Sequence, residues 1–256
     1  MSVYDGFAGV YATGDYPEYS RKVAELLPDT LGNLGLRPRT VLDLACGEGT
    51  FAVEVAKLGY DVTGYDRSEK MLARARTNAN CEEVEVKFQQ GDMRNIPFRE
   101  GFDLVTCWYD SINYMLTEED LEKTFSGAAR ALKDGGAFIF DMNTIYALAV
   151  QWQERGCYVQ RSDEDIFEVH QTEFDRTKEI ATLNVMAFAK EEDCWRKVSE
   201  THRERAYPLE KVEELLHSSG FEEVSVFGDP STLTEVERKS GRAWFVARKS
   251  SRSSNR

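Results

Sequence analysis

The sequence has little positive charge and no long apolar run. Its 256 residues contain 32 Lys and Arg against 45 Asp and Glu, which gives a formal net charge of −13 at pH 7. Proteins that bind nucleic acid normally present a basic surface to the phosphates, so this balance argues against such a partner. No apolar stretch approaches the roughly 20 residues that cross a bilayer, and the N-terminus lacks the charged and apolar regions of a signal peptide. We therefore expect a cytoplasmic protein without a membrane partner.

The cysteines lack the spacing of a metal site or a disulfide framework. They are odd in number and scattered, with no C-x-x-C pair and no histidine at ligand spacing. We expect no bound metal and no disulfide, and we interpret the cysteines as reduced, mostly buried small apolar residues. The five are Cys46, Cys81, Cys107, Cys157 and Cys194.

The stretch at 41–50, VLDLACGEGT, organises the chain. Its apolar run is broken only by Asp43, which is typical of a buried parallel strand, and a helical pattern of apolar residues begins at Phe51. Gly47 and Gly49 between them allow positive φ and close approach of a ligand. The unpaired amides of a helix's first turn favour anionic or polar groups. The pattern predicts a nucleotide-like ligand.

The same glycines leave two nucleotide-binding hypotheses open. Gly47, Gly49 and Ala52 satisfy the G-x-G-x-x-[G/A] pattern of dinucleotide-binding proteins, and Asp66 follows about one strand downstream. An NAD-dependent oxidoreductase is therefore one alternative. The motif alone is too short to decide, so the residues around it carry the argument.

The surrounding motifs occur in a characteristic order. Asp43 lies inside the first strand, CGEGT follows at 46–50, VTGYD at 62–66 ends a second strand, and GDM at 91–93 follows a third. Together they resemble class I S-adenosylmethionine-dependent methyltransferases, over about residues 4–249. The resemblance implies an α/β fold with a Rossmann-like, mostly parallel seven-stranded sheet and helices on both faces. It also implies S-adenosylmethionine as cofactor and S-adenosylhomocysteine as product.

Cofactor-binding roles follow from this resemblance and from side-chain chemistry. Asp66, at the tip of its strand, is suited to accept hydrogen bonds from both ribose hydroxyls. The resemblance implies that Asp92 accepts from the adenine amino group and that Met93 packs on the ring. It places Tyr11 and Tyr19 as lid tyrosines, whose rings attract a sulfonium. The expected cofactor-binding residues are Tyr11, Tyr19, Asp43, Ala45, Gly47, Gly49, Asp66, Arg67, Met71, Asp92, Met93 and Trp108.

The apolar period changes from helical to alternating at about Tyr158. Three alternating runs predict a small antiparallel sheet after the fifth strand. Such a sheet is marginally stable alone, so it needs to pack on the parent domain or on a partner subunit. Because its strands begin and end beside the carboxyl edge of the fifth strand, we expect it to lie over the site as a substrate lid. The runs lie at 166–174, 179–188 and 195–205. The expected division is a methyltransferase domain at 1–156 and 206–249, an insertion at 157–205, and a disordered tail at 250–256.

Few side chains are available to act on the methyl acceptor. In-line transfer needs an aligned lone pair, and an amine acceptor needs only local proton acceptors. Tyr114, His202 and Asp110 are the candidate catalytic residues. We interpret His217, in the last turn of a helix, as structural. His170 and His202 both lie on strands of the insertion and could face the cleft or solvent, and we prefer His202, because the chain after it leads back over the site. The loop at 110–114 resembles that of small-molecule N-methyltransferases of the glycine and amino-sugar type. Some of those have a histidine where Tyr114 stands here, which leaves the acceptor open.

The expected function is methyl transfer from S-adenosylmethionine to an amine or hydroxyl of a small molecule. A non-catalytic S-adenosylmethionine-binding module is a second alternative beside the oxidoreductase. The oligomeric state stays open, with a homodimer as one alternative. Asp110, Asp141 and Asn143 loosely resemble the oxygen ligands of metal-dependent catechol methyltransferases, but we favour capping or surface roles for them.

Overall fold

The computed structural model describes residues 6–13, 16–192, 194–229 and 231–251. The predicted disorder at 250–256 therefore falls largely outside the described residues, as does Tyr4, where the family resemblance begins. Within the described ranges, no helix is long and apolar enough to cross a membrane.

Two β-sheets and the helices around them make up the described chain. The helices are α1 (Ala8–Thr13), α2 (Tyr16–Asn33), α3 (Thr50–Lys57), α4 (Glu69–Cys81), α5 (Glu118–Ala131), α6 (Trp152–Arg155) and α7 (Leu209–Ser218). The strands are β1 (Thr40–Leu44), β2 (Asp61–Asp66), β3 (Lys87–Gln90), β4 (Phe102–Cys107), β5 (Leu132–Asn143), β6 (Cys157–Ser162), β7 (Ile166–Asp175), β8 (Ile180–Glu191), β9 (Cys194–Arg205), β10 (Phe221–Phe227) and β11 (Arg242–Lys249).

The larger sheet has the strand order β10-β11-β5-β4-β1-β2-β3. β1 to β5 pair in parallel, and β11 runs antiparallel between β5 and β10. Apolar side chains cover both faces: Leu42 packs with Phe125 of α5 on one, and Val41 with Leu27 of α2 on the other. Alternate residues of β1 thus face opposite helical layers, which is why its run is apolar throughout. The predicted fold class is confirmed.

Helix α2 departs from its sequence pattern. The amphipathic pattern at 19–27, followed by Pro28, predicts a helix that ends there, but α2 continues to Asn33 with Pro28 inside it. Pro28 is exposed. Pro28 has no N–H to donate to the carbonyl of Ala24, four residues earlier, so α2 lacks one hydrogen bond at this point.

The cysteines also differ from expectation. All five are free thiols, but only Cys46 and Cys107 are buried. Cys81 ends α4, while Cys157 and Cys194 begin β6 and β9, and these chain positions leave all three exposed. The prediction of mostly buried cysteines is therefore wrong.

The smaller sheet contains β6, β7, β8 and β9 in that order, all antiparallel. The sequence pattern predicts β7 to β9 but misses β6, because most of its residues are exposed on both faces and it lacks alternation. The inner face packs on α1, where Val10 and the preceding Phe7 contact Ile166 and Val185. The N-terminal segment therefore joins this sheet, which we call the inserted sheet.

Candidate active site

Two cavities meet at the carboxyl ends of the parallel strands. The first, the strand-end cleft, has a volume of about 990 Å³ including its open mouth, and residues following β1 to β4 line it. The second, the sheet-side cavity, has about 870 Å³ and lies against the inserted sheet, α6 and the start of β11. Tyr11, Tyr109 and Tyr114 line both. A group bound in one cavity therefore adjoins a group bound in the other.

Most of the predicted cofactor residues come together in the strand-end cleft. Those that line it are Tyr11, Asp43, Ala45, Asp66, Arg67, Met71, Asp92, Met93 and Trp108. Of the predicted catalytic residues, Tyr114 lines both cavities, and His202 and Asp110 line the sheet-side cavity. The structure does not bring Tyr19, Gly47 or Gly49 to the lining of the cleft.

Each of these three residues has another contact. The amide of Gly47 donates to Asp66 Oδ2 at 2.9 Å. Gly49 has φ +84°, and a Cβ there would lie 2.7 Å from the Cβ of Ala75 in α4. Gly49 therefore allows α3 and α4 to pack closely, and its approach to a ligand stays a prediction. The hydroxyl of Tyr19 donates to Asp141 at 2.9 Å, so this ring is held beside β5 and not over the cleft.

Asp66 is fixed by the backbone on both carboxylate oxygens. Its Oδ1 accepts from the amide of Ser68 at 2.8 Å, and its Oδ2 accepts from Gly47. Burial raises its pKa, and these amide bonds oppose that rise. A carboxylate oxygen has two lone pairs, so each oxygen retains an acceptor site for a ligand hydroxyl.

Asp92 and Asp43 differ in their electrostatics. Arg94 donates to both oxygens of Asp92, and this pairing lowers the pKa of Asp92. Asp43 is 2% exposed and accepts from Thr106 Oγ1 at 2.9 Å. Burial raises the pKa of Asp43 to about 8. The cleft therefore offers one ionised carboxylate at its rim and one largely protonated carboxyl at its base at neutral pH.

The loop after β4 is held in a strained conformation by an arginine that sequence analysis missed. Tyr109 and Asp110 have φ values of +57° and +52°, a region that non-glycine residues rarely adopt. Arg242, the first residue of β11, pairs with Asp110 at 2.7 Å and with Asp141. Its guanidinium also lies 5.0 Å from the ring centroid of Tyr19 and 5.7 Å from that of Tyr109. The oxygens of Asp110 and Asp141 that contact Arg242 therefore serve this ion pair.

Tyr114 and His202 form a hydrogen-bonded pair, with 2.9 Å between the phenol oxygen and Nδ1. His202 is 3% exposed, and burial lowers its pKa to about 4. The ring is therefore neutral at pH 7. We assign Nδ1 as acceptor of the Tyr114 proton, which leaves the phenol oxygen with lone pairs for a ligand.

Glu204 is a further buried carboxyl of the sheet-side cavity, and sequence analysis missed it as well. It is 2% exposed and accepts from Asn143 Nδ2 at 2.8 Å. Burial and the nearby charge of Asp110 raise the pKa of Glu204 well above its ordinary value. Asp110 and Glu204 together can therefore hold a proton at this part of the cavity. The alternation of β9, which sets His202 and Glu204 on one face, is the only sequence signal for it.

The strand-end cleft fits an adenosyl sulfonium ligand. Asp66 and Asp92 present acceptors for hydroxyl and amino groups, and Met71 and Met93 supply apolar surface. The indole N–H of Trp108 is buried and has no hydrogen-bond partner among the described residues. A buried donor of this kind is costly unless a ligand or water satisfies it.

Known proteins with similar sequences are methyltransferases. Residues 41–136 match the family described as a methyltransferase domain. A Bacillus subtilis protein named as a methyltransferase, YqeM, is 33% identical over 97% of this chain and 98% of its own. A glycine/sarcosine N-methyltransferase of Aphanothece halophytica is 28% identical over 75% of this chain and 69% of its own.

Solved structures agree with the sequence relatives. An S-adenosylmethionine-dependent methyltransferase of Clostridium acetobutylicum has 26% identity and a TM-score of 0.82, covering 96% of this chain and 99% of its own. DesVI of Streptomyces venezuelae shares the fold, with 23% identity and a TM-score of 0.71 over 97% of each chain. These matches decide against the oxidoreductase that the glycine spacing left open. The chain belongs to the S-adenosylmethionine-dependent methyltransferases, and S-adenosylmethionine is its methyl donor.

Proposed function

We propose that the enzyme methylates an amine of a small molecule held in the sheet-side cavity, with a hydroxyl as the alternative acceptor group. The observation that carries this proposal is the position of Tyr114, which lines both cavities and bonds to His202. A relative named glycine/sarcosine N-methyltransferase supports an amine acceptor. The residues at 157–205 then act as a lid over the acceptor, and 1–156 with 206–249 form the domain that binds the methyl donor.

The strand-end cleft would hold the methyl donor through a few polar contacts. When bound, S-adenosylmethionine supplies an electrophilic methyl group on a positively charged sulfur. Asp66 would accept from the ribose hydroxyls and Asp92 from the adenine amino group. The ring of Tyr11, at the boundary of the two cavities, would face the sulfonium and exclude water.

Tyr114 and His202 would orient the acceptor. Because the Tyr114 hydroxyl donates its hydrogen bond to His202, the Tyr114 oxygen can accept a hydrogen bond from the N–H of the acceptor. This bond would turn the lone pair of the amine nitrogen toward the methyl donor. A histidine with a pKa of about 4 is a poor base, so the Tyr114–His202 pair would position the acceptor and would not deprotonate it. This favours an amine, whose lone pair is nucleophilic without loss of a proton. The methylated product is an ammonium ion, which is a much weaker acid than a carboxylic acid, so Asp110 would stabilise its charge without taking its proton.

The proposal extends to location and partners. The net charge of −13 supports free small molecules over phosphate-rich polymers as substrates. Cytoplasmic location and a homodimer remain predictions, and the second is decided by the molecular mass in solution.

A tryptophan placed in the sheet-side cavity tests the acceptor site. Leu183 on β8 lines this cavity, and Leu183→Trp should reduce methyl transfer to small molecules about 10–100-fold, because an overfilled site costs about 1–3 kcal/mol. The measurement is transfer from methyl-labelled S-adenosylmethionine to a small-molecule extract. Thr182→Trp is the matched control, since Thr182 pairs with the exposed Glu173 and Arg203 on the outer face. Equal turnover by both variants, or label only in macromolecules, would refute the proposal.

Removing the Asp66 carboxylate tests the donor site. Asp66→Ala should weaken S-adenosylmethionine binding by about 1.5–3 kcal/mol, because ribose hydroxyls and the Gly47 amide lose a charged acceptor. Titration calorimetry measures this, with Asp61→Ala at the exposed opposite end of β2 as control. Asp92→Ala should lose less affinity for S-adenosylmethionine, since the Asp92 carboxylate would contact only one edge of the adenine. An unchanged dissociation constant for Asp66→Ala removes Asp66 from the site.

Asp43 should make donor binding depend on pH. Burial raises its pKa to about 8, so the free enzyme holds a proton there at neutral pH. A cationic ligand in the cleft favours the carboxylate, so binding releases this proton and affinity rises as pH increases from about 6 to about 8. Calorimetry in two buffers of different ionisation enthalpy counts the protons. Asp43→Asn should release fewer protons when the methyl donor binds. A pH dependence of binding identical to that of the wild type would contradict the assignment of this proton to Asp43.

A further inference from the structure

A second tyrosine–histidine pair lines the sheet-side cavity, where the strand-end cleft does not reach. Tyr158 on β6 and His170 on β7 face each other, with 3.2 Å between the phenol oxygen and Nδ1. Behind the ring, His170 Nε2 lies 2.5 Å from Glu168 Oε1. Glu168 is 0% exposed and His170 is 4% exposed. The result is a chain of three polar side chains that ends at the cavity.

The buried carboxylate sets the polarity of this chain. Glu168 Oε1 also accepts from the hydroxyl of Tyr16, so it collects two donors. A carboxylate that accepts from Nε2–H fixes the tautomer of His170 with its proton on Nε2. Nδ1 then accepts from Tyr158, and the phenol oxygen keeps its lone pairs. Tyr158 therefore offers a hydrogen-bond acceptor to a ligand.

The same end of the cavity disfavours a second cation. The guanidinium of Arg155 lies 5.8 Å from the ring centroid of Tyr158, and Arg155 forms no ion pair with a residue in the described ranges. An ammonium group there would meet this positive charge at close range. A hydroxyl is a neutral hydrogen-bond donor, so it is not repelled by Arg155.

Folding alone does not account for Glu168. Its second oxygen is buried and has no hydrogen-bond partner among the described residues. Burying a carboxyl in an incomplete hydrogen-bond set costs stability, so the side chain needs a role beyond packing. Holding His170 in one tautomer is such a role.

We infer that the methyl acceptor carries a hydroxyl group separate from the methylated amine, and that Tyr158 binds this hydroxyl, with His170 and Glu168 as positioning residues. This inference rests on the proposed function, because it takes the sheet-side cavity as the acceptor site. Tyr158 and Tyr114 then hold the acceptor at two points, each phenol oriented by a histidine. The acceptor class is an amino alcohol.

A matched pair of amines tests the hydroxyl contact by binding. The probes are trans-4-aminocyclohexanol and cyclohexylamine, titrated into the enzyme saturated with S-adenosylhomocysteine. The wild-type enzyme should bind the amino alcohol about 10-fold more tightly, as one hydrogen bond allows. Tyr158→Phe should bring the ratio close to one without weakening cyclohexylamine, and Tyr114→Phe should keep it. Equal binding of the two probes by wild type, no binding of either, or an unchanged ratio in Tyr158→Phe would overturn the inference.

A second measurement reads the positioning role of Glu168. The chain has three histidines, so a long-range proton–nitrogen correlation spectrum can assign the protonated nitrogen of His170. We expect Nε2–H in the wild type, and Nδ1–H together with a reduced probe ratio in Glu168→Gln. A wild-type proton on Nδ1 would overturn the inference, because Tyr158 would then select an acceptor group. Failure of the proposed function appears separately, as full methyl transfer by Leu183→Trp.

Discussion

Replacing Tyr114 by phenylalanine is expected to lower the rate of methyl transfer about 100-fold, with little change in S-adenosylmethionine affinity. The variant keeps the ring that lines both cavities and loses the oxygen that orients the acceptor, and a reactant misplaced by about 1 Å can lose this much rate. Single-turnover measurement with labelled donor separates the transfer step from binding.

His202 supplies the control for this prediction. His202→Phe removes the partner that holds the phenol proton, so it should give a loss similar to that of Tyr114→Phe. Residues that act as one unit are not additive, so the double variant should be little worse than either single one. Losses that multiply in the double variant would mean that the two residues act independently.

Replacing Arg242 by methionine is expected to lower the free energy of unfolding by about 3–5 kcal/mol. The change leaves Asp141, which is 0% exposed, without its charged partner, and removal of one member of a buried ion pair costs about this much. The loop at Tyr109 and Asp110 also loses the guanidinium that holds its left-handed backbone. Denaturant unfolding gives the stability, and the transfer rate should fall with it.

Two variants show whether the buried charge is the cause. Arg248→Met, on the same strand β11, should cost less than Arg242→Met, because Arg248 is more exposed, its ion-pair contact with Glu223 is 3.7 Å long, and its hydrogen bond to the carbonyl of Leu34 leaves no buried charge behind when it is lost. Adding Asp141→Asn to Arg242→Met should restore part of the stability by removing the stranded charge. If the double variant is as unstable as Arg242→Met alone, the loss of stability comes from lost packing of the Arg242 side chain and not from the unpaired charge of Asp141.

The donor half of the site was predictable because its residues follow strands that sequence patterns identify. Asp43, Asp66 and Asp92 stand in or directly after β1, β2 and β3, and parallel strands bring their carboxyl ends to one edge. Gly49 shows the limit of this reasoning. A Cβ at this position would lie 2.7 Å from the Cβ of Ala75, a contact between helices that the glycine motif does not encode, and the role of Gly49 toward a ligand stays a prediction.

The acceptor half depends on contacts between residues that are distant in sequence. Arg242 meets Asp110 across 132 positions and His202 meets Tyr114 across 88, and no spacing rule encodes such pairs. One signal was present: Glu168 and His170 share the alternating positions of β7 with the buried Ile166. Polar residues on the apolar face of a strand indicate a buried network, but the sequence analysis preferred His202 to His170 and did not consider Glu168.

The two cavities should also form at different times as the chain folds. The strand-end cleft takes nearly all of its lining from one continuous segment, 43–115, whereas the sheet-side cavity takes residues from Phe7 to Arg242. Closing long loops slows folding, so β1 to β4 can associate while the ribosome is still making the inserted sheet. β11 is the last strand of the described residues, and it carries Arg242 into place between β5 and β10. A nascent chain would therefore have most of a donor site before its acceptor site exists, and in refolding S-adenosylhomocysteine should bind before the amine does.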